Sequence, residues 1–173
     1  MDYIESGMDF SPLFTGKNSD KSIYIEKSIF LKKAGEGVRT VEFVTLRRKN
    51  ELQLIEAKTT APNLNTPGNN ENINMYYQKI VEKVQHTIDL LASKEIGIRQ
   101  DSAGEFPECF NSSIFVNTKM IFLLIINNSK EEWCEDIQTD LQHELMHLKR
   151  IWGMEVLVLN REDALKYKLI TDR

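Results

Sequence analysis

The sequence is poor in cysteine, in long apolar runs and in net charge, and each shortage excludes a class of protein. Two cysteines, Cys109 and Cys134, in 173 residues are too few for a disulfide framework, although one pair remains open. The longest apolar run, 120–126, is far too short to span a bilayer. A net charge of −4 offers no general attraction to a polyanion, so a nucleic acid would need a local basic patch.

The first ten residues also lack the basic segment followed by an apolar segment that is typical of an export signal. We therefore expect a cytoplasmic protein in a reducing compartment, with no membrane partner. A composition of 41% apolar and 28% charged residues is typical of a globular chain. At this length we expect residues 1–173 to form a single domain.

Hydrophobic patterning predicts the element order β-β-β-α-β-α-β-α, which is an α/β fold with a three-layer mixed β-sheet and flanking helices. Strands are expected at 22–33, on both sides of a turn at 49–50 within 38–58, at 114–127 and at 154–159. Helices are expected at about 71–93, at 130–152 and directly after a cap at Asn160. The glycines of 34–37 predict a hairpin turn, and Gly153 should end the second helix. The continuous apolar run within 114–127 indicates a central strand buried on both faces.

Two segments carry little periodicity. Residues 1–20 are an N-terminal extension, in which a short helix within 1–10 is the only one that Gly7 and Pro12 allow. Residues 59–74 form a long loop rich in asparagine and proline. Loops of this length in compact domains are usually functional or mobile.

Three charged residues stand where apolar residues are expected. Glu42 lies inside the apolar run 41–44, and Glu56 and Lys58 end the next strand after 52–55. Because side chains alternate along a strand, Glu56 and Lys58 share one face. A buried carboxylate costs free energy unless it is paired or binds a metal. We therefore predict that the three side chains converge at one edge of the sheet.

An acid on one strand, Glu-x-Lys at the end of its neighbour and then a helix resemble the PD-(D/E)xK phosphodiesterase superfamily, over roughly residues 20–160. The resemblance implies a restriction-endonuclease-like fold and a nuclease acting on DNA or RNA. It implies that Glu42, Glu56 and the backbone carbonyl of Ala57 bind Mg²⁺ or Mn²⁺. It implies that Lys58 assists the attack of water on the phosphodiester.

The family often adds a further glutamate and a polar residue on the helix after the motif. Glu5 or Glu26 is a candidate for the first, and Gln78, Lys79 or Gln85 for the second. The first acid here is Glu rather than the more usual Asp, and no Pro-Asp pair precedes it. An inactive relative that uses the same fold as a binding or assembly module is therefore the alternative. The sequence leaves open whether the chain forms a homodimer.

Basic residues cluster at the predicted hairpin tip. Arg47, Arg48 and Lys49 have the charge to bind a nucleic-acid backbone, and Lys32 and Lys33 at the end of the neighbouring predicted strand would extend the patch. A solvated turn is the plain alternative, since hairpin tips are exposed in any case.

A second motif predicts a different metal. His143, Glu144 and His147 match H-E-x-x-H, in which two histidines bind Zn²⁺ and the glutamate is the general base of a peptidase. The third ligand would have to be Glu155 or Glu162. The plain alternative is a solvated helix face that carries two histidines.

Overall fold

The computed structural model of the protein describes residues 2–48 and 50–172, and a five-stranded mixed sheet dominates this part of the chain. The strands are β1 (Ile4–Glu5), β2 (Met8–Asp9), β3 (Ser22–Ile23), β4 (Phe43–Arg47), β5 (Glu51–Lys58), β6 (Lys119–Ile126) and β7 (Glu155–Asn160). β1 and β2 form a separate hairpin. The main sheet has the order β3-β4-β5-β6-β7, antiparallel from β3 to β5 and parallel from β5 to β7.

Within the described residues, five α-helices connect or flank these strands. They are α1 (Ile29–Lys32), α2 (Asn70–Glu95), α3 (Glu131–Glu144), α4 (Met146–Trp152) and α5 (Arg161–Lys166). Short 3-10 helices occur at Ser11–Leu13, Gly16–Asn18, Ile25–Lys27 and Glu108–Phe110. The predicted mixed α/β class with flanking helices is confirmed.

The two faces of the sheet support two apolar cores. One core lies between the sheet and α2, α3 and α4, and it includes Leu54, Phe122 and Ile80. The other packs the N-terminal segment and the C-terminal residues against the opposite face, around Phe43 and Ile121. β6 contributes alternate residues to both cores, as its unbroken apolar run predicts.

The predicted strand 22–33 is wrong beyond Ile23. The chain turns there into a 3-10 helix and then α1, because the first N–H groups of α1 find good acceptors. Ser28 Oγ accepts from Leu31 N–H at 3.0 Å, and the Glu105 carboxylate accepts from Ile29 and Phe30 N–H at 2.9 Å each. These three hydrogen bonds outweigh the alternating pattern, and two of them come from Glu105, a residue far away in the sequence.

Other boundaries differ more modestly. The short helix considered before Phe10 is wrong, because the β1–β2 hairpin occupies this segment and buries Met8 fully. The predicted helix 130–152 is divided at Leu145, which is not helical, into α3 and α4. α2 begins at Asn70, inside the predicted loop 59–74. Gly153 ends α4 in a left-handed conformation with φ of 62°, as predicted.

Two further observations concern membrane spans and disulfides. None of the helices formed by the described residues has the length and apolar character needed to cross a bilayer. Cys109 and Cys134 are both free thiols.

Candidate active site

The predicted acids meet where β4 begins and β5 ends. Phe43 of β4 pairs with Ile55 of β5. Glu42, one residue before β4, therefore lies beside the end of β5. Glu42 Oε2 accepts a hydrogen bond from Ala57 N–H at 2.7 Å. Lys58 forms an ion pair with Glu56. The structure therefore brings Glu42, Glu56 and Lys58 together at one end of the sheet.

A lysine outside the predicted motif lies at the centre of this group. Lys83 Nζ, from the middle of α2, contacts Glu42 Oε1 at 3.1 Å, Glu56 Oε1 at 3.0 Å and Glu26 Oε1 at 3.0 Å. Its side chain is 14% exposed, whereas those of Glu42 and Glu56 are 6% and 0% exposed. We call Glu26, Glu42 and Glu56 the glutamate cluster.

Glu26 reaches the cluster because the chain leaves the sheet after β3. It lies in the 3-10 helix Ile25–Lys27, and its N–H donates to the Glu42 carbonyl at 3.4 Å. Its side chain is 35% exposed, so Glu26 is the member of the cluster most open to solvent. Of the two candidates for a further acid, Glu26 is the one brought to the site; Glu5 forms an ion pair with Lys27 at 2.9 Å.

Burial and mutual proximity perturb the charges in the cluster. Burial, with the neighbouring Glu56 carboxylate, raises the pKa of Glu42 to about 9. Burial opposes the charge of Lys83, but Glu56, Glu42 and Glu26 outweigh it and raise the pKa of Lys83 above its usual value. Lys83 therefore stays charged, and the protonated form of Glu42 is favoured. Both effects are expected when carboxylates are crowded in a poorly solvated place.

Tyr76 adds a polar group near the same place. It lies seven residues before Lys83 on α2, which is two helical turns. Its hydroxyl is buried and has no hydrogen-bond partner among the residues that the structure describes. Burial and then Glu56 raise the pKa of Tyr76 above its usual value, so the phenol stays protonated and can donate.

The polar candidates on α2 point elsewhere. Gln78 and Lys79 are exposed, and Gln85 donates to Asp89 on its own helix at 3.0 Å. The residue of α2 that contacts the acids is Lys83, one turn beyond Lys79. The sequence carries a signal for it, because Lys83 follows Ile80 by three residues and borders the apolar stripe of α2.

The basic tip of the β4–β5 hairpin lies at the far end of the same strands. Arg47 donates to the carbonyl oxygens of Tyr167 and Lys168 at 3.3 and 3.4 Å, and Arg48 lies 3.8 Å from Glu51. Lys49 lies outside the described residues. Glu51 and Glu56 are five positions apart on β5, which is about 17 Å along a strand. The tip and the cluster therefore cannot contact the same phosphate group.

The H-E-x-x-H segment spans the break between two helices. His143 and Glu144 are the last residues of α3, and His147 belongs to α4. Both histidines are exposed. Across residues 2–48 and 50–172, no three or more His, Cys, Asp or Glu side chains are arranged to hold a metal ion. The described structure gives the zinc peptidase no support, and the exposed histidines agree with a solvated face.

Comparisons with protein-family models, with curated proteins and with solved structures give no match for this chain. The resemblance to PD-(D/E)xK enzymes therefore depends on the residues and elements described above and stays a prediction.

Proposed function

We propose that this protein is a metal-dependent phosphodiester hydrolase that acts on DNA or RNA. The observation that carries the proposal is the glutamate cluster, in which three carboxylates from separate segments surround one cation position beside Lys58. Hydrolysis of a phosphodiester needs a concentration of hard oxygen ligands next to a group that can act on water or phosphate. This end of the sheet supplies both.

The donor chemistry of the cluster fits Mg²⁺ or Mn²⁺, since both prefer carboxylate oxygen. Glu42 and Glu56 would hold the ion, with the Ala57 carbonyl as the additional ligand that the resemblance implies. In the structure, however, the ammonium of Lys83 lies between these carboxylates, and they are not arranged to hold a metal ion. Metal binding therefore requires the side chains of the cluster to rearrange.

Each residue would contribute a separate function. A bound divalent ion would polarise the phosphate and activate water. Lys58, two residues beyond Glu56 on the same face, is 30% exposed and can reach a substrate from the solvent side. Its ammonium would orient the attacking water and stabilise charge that develops on the phosphate oxygens. Glu42 and Glu56 are buried, so they act as ligands rather than as contacts to a large substrate.

One observation favours a second function, a binding or assembly module without catalysis. Lys83 forms ion pairs with all three acids of the glutamate cluster, so their negative charge is already compensated without a metal. The two functions differ in metal uptake and in cleavage, so one set of measurements separates them.

The experiment is Mn²⁺ titration calorimetry beside cleavage of labelled single- and double-stranded DNA and RNA. Glu56→Gln should lose both metal uptake and cleavage, because it removes a charged ligand. Lys58→Met should keep metal uptake and lose cleavage by at least about 100-fold, the usual effect of removing a group that stabilises transition-state charge. Lys79→Met, an exposed lysine on α2, is the control. Wild-type protein that neither binds Mn²⁺ nor cleaves any substrate would replace the hydrolase with the non-catalytic module.

A further inference from the structure

Lys83 holds the position that a metal would need. Its ammonium contacts Glu42 Oε1 at 3.1 Å and both oxygens of Glu56, Oε1 at 3.0 Å and Oε2 at 3.1 Å. The remaining oxygen of Glu42, Oε2, accepts from Ala57 N–H. Three of these four oxygens accept hydrogen bonds, and the fourth, Glu56 Oε1, has ion-pair contacts with Lys83 and Lys58 but no hydrogen bond among the described residues.

A divalent ion cannot simply be added beside this ammonium. Mg²⁺ binds carboxylate oxygen at about 2.1 Å, and Lys83 Nζ lies 3.0 Å from Glu56 Oε1. If both cations used this oxygen, they would be separated by at most about 5 Å. At that distance in a poorly solvated site the two positive charges repel each other strongly.

We propose that Lys83 and a divalent cation compete for Glu42 and Glu56, so that metal binds only when the Lys83 ammonium leaves these two carboxylates. The proposal rests on the function proposed above and defines Lys83 as a positioning residue that controls access to its metal site. It assigns to Lys83 the function of an internal counter-ion in the metal-free protein.

Glu26 provides an alternative ion-pair partner for Lys83 when the metal binds. Glu26 is the most solvent-exposed acid of the cluster, at 35%, and it already contacts Lys83 at 3.0 Å. A lysine ammonium sits on a flexible four-carbon chain, so it can shift toward Glu26 without movement of α2. Lys83 would then remain paired while Glu42 and Glu56 become available.

The first test measures Mn²⁺ affinity by calorimetry for wild type, Lys83→Met, Lys83→Arg and Lys79→Met. Lys83→Met should bind Mn²⁺ at least about 10-fold more tightly than wild type, since the competing cation is gone. Lys83→Arg retains the charge and should not show this gain. Lys79→Met should match wild type, because Lys79 is exposed on the same helix.

The second test uses the wild-type protein and does not depend on the folding of a variant. Reductive methylation, read by mass spectrometry, reports how accessible each lysine is. Lys83, at 14% exposure, should be modified slowly without metal and several-fold faster at saturating Mg²⁺. Lys79 and Lys119 are exposed and should react at the same rate in both conditions.

The outcomes distinguish this inference from the proposed hydrolase. Equal Mn²⁺ affinity of wild type and Lys83→Met, or unchanged protection of Lys83 in the metal-bound protein, would overturn the inference alone. Metal uptake by Lys83→Met but not by wild type would support the competition and favour the non-catalytic module. Absence of uptake by every folded variant would overturn both.

Discussion

The two ends of the central strands both carry acids and bases, but the charges have opposite surroundings. Where β5 ends, Glu42 and Glu56 are 6% and 0% exposed and surround Lys83 at 3.0–3.1 Å. Where β6 and β7 begin, Lys119 and Glu155 form an ion pair at 2.9 Å, with exposures of 50% and 52%. The distances are nearly equal. Burial therefore distinguishes the two ends, because it determines what an unpaired charge would cost.

Stability alone does not account for the buried end. Apolar residues of similar volume often stabilise a fold at least as well as a buried group of ions. Three acids and two lysines gathered in one place are better explained by a function that needs them. The exposed end carries no such implication, since surface ion pairs contribute about 0–1 kcal/mol.

The largest expected difference between the two ends is in thermodynamic stability. Lys83→Met removes the cation that Glu42 and Glu56 share, leaves Glu56 with Lys58 alone, and should lower the free energy of unfolding by about 3 kcal/mol in the absence of metal. Lys119→Met removes the exposed partner of Glu155 and should change it by less than about 1 kcal/mol. Urea unfolding in the presence of a chelator measures both. Similar losses for the two variants would contradict the contrast in burial.

The second difference concerns pH. Because the folded pKa of Glu42 is raised from 4.5 to about 9, its contribution to stability is complete below pH 4.5 and is lost as the pH rises through about 9. Metal-free wild type should therefore lose stability over this range, relative to Glu42→Gln, by up to about 1.4 kcal/mol per pH unit. Urea unfolding at a series of pH values measures the difference.

Glu155→Gln, at the exposed end, serves as the control for this pH series. Because Glu155 is 52% exposed, this replacement should change the free energy of unfolding by less than about 1 kcal/mol. If wild type and Glu42→Gln show parallel pH profiles, Glu42 is not the titrating group.

Local pattern was sufficient for most of the fold. The five strands of the main sheet, the interior position of β6, the cap at Asn160 and the end of α4 at Gly153 all follow from residues close in sequence. The segment 22–33 was misread, because its capping group Glu105 lies more than seventy residues away. A contact between residues so far apart leaves no trace in the local hydrophobic pattern.

Part of the candidate site was also predictable from the sequence. Glu42, Glu56 and Lys58 stand out as charges in apolar strands, and their convergence follows from strand alternation. Lys83 was missed because a lysine at the border of a helical stripe usually reaches solvent. Only the packing of α2 over the strand ends, a tertiary feature, gives it three acidic neighbours.

A smaller difference in stability is expected between replacements of two arginines at the exposed end. Arg47→Ala should destabilise the protein by about 1 kcal/mol, because its guanidinium donates to two carbonyl groups near the C-terminus, of Tyr167 and Lys168. Arg48→Ala should change stability by less than about 0.5 kcal/mol, since the side chain is 78% exposed. Thermal unfolding measures both. Neither change should affect cleavage at the distant cluster; a loss of cleavage in Arg48→Ala with stability unchanged would instead identify the tip as part of the substrate-binding surface.

The smallest effect is expected for the histidines of the H-E-x-x-H segment, where exposure again should decide the result. His143 and His147 are exposed and belong to separate helices, α3 and α4. Replacing both with alanine should change the free energy of unfolding by less than about 0.5 kcal/mol and leave Mn²⁺ uptake as in wild type. Urea unfolding, Mn²⁺ calorimetry and zinc analysis of the purified protein test this together. Stoichiometric zinc in wild type that disappears in the double variant would show that an exposed pair can form a metal site here, and burial would no longer separate functional from structural charges in this molecule.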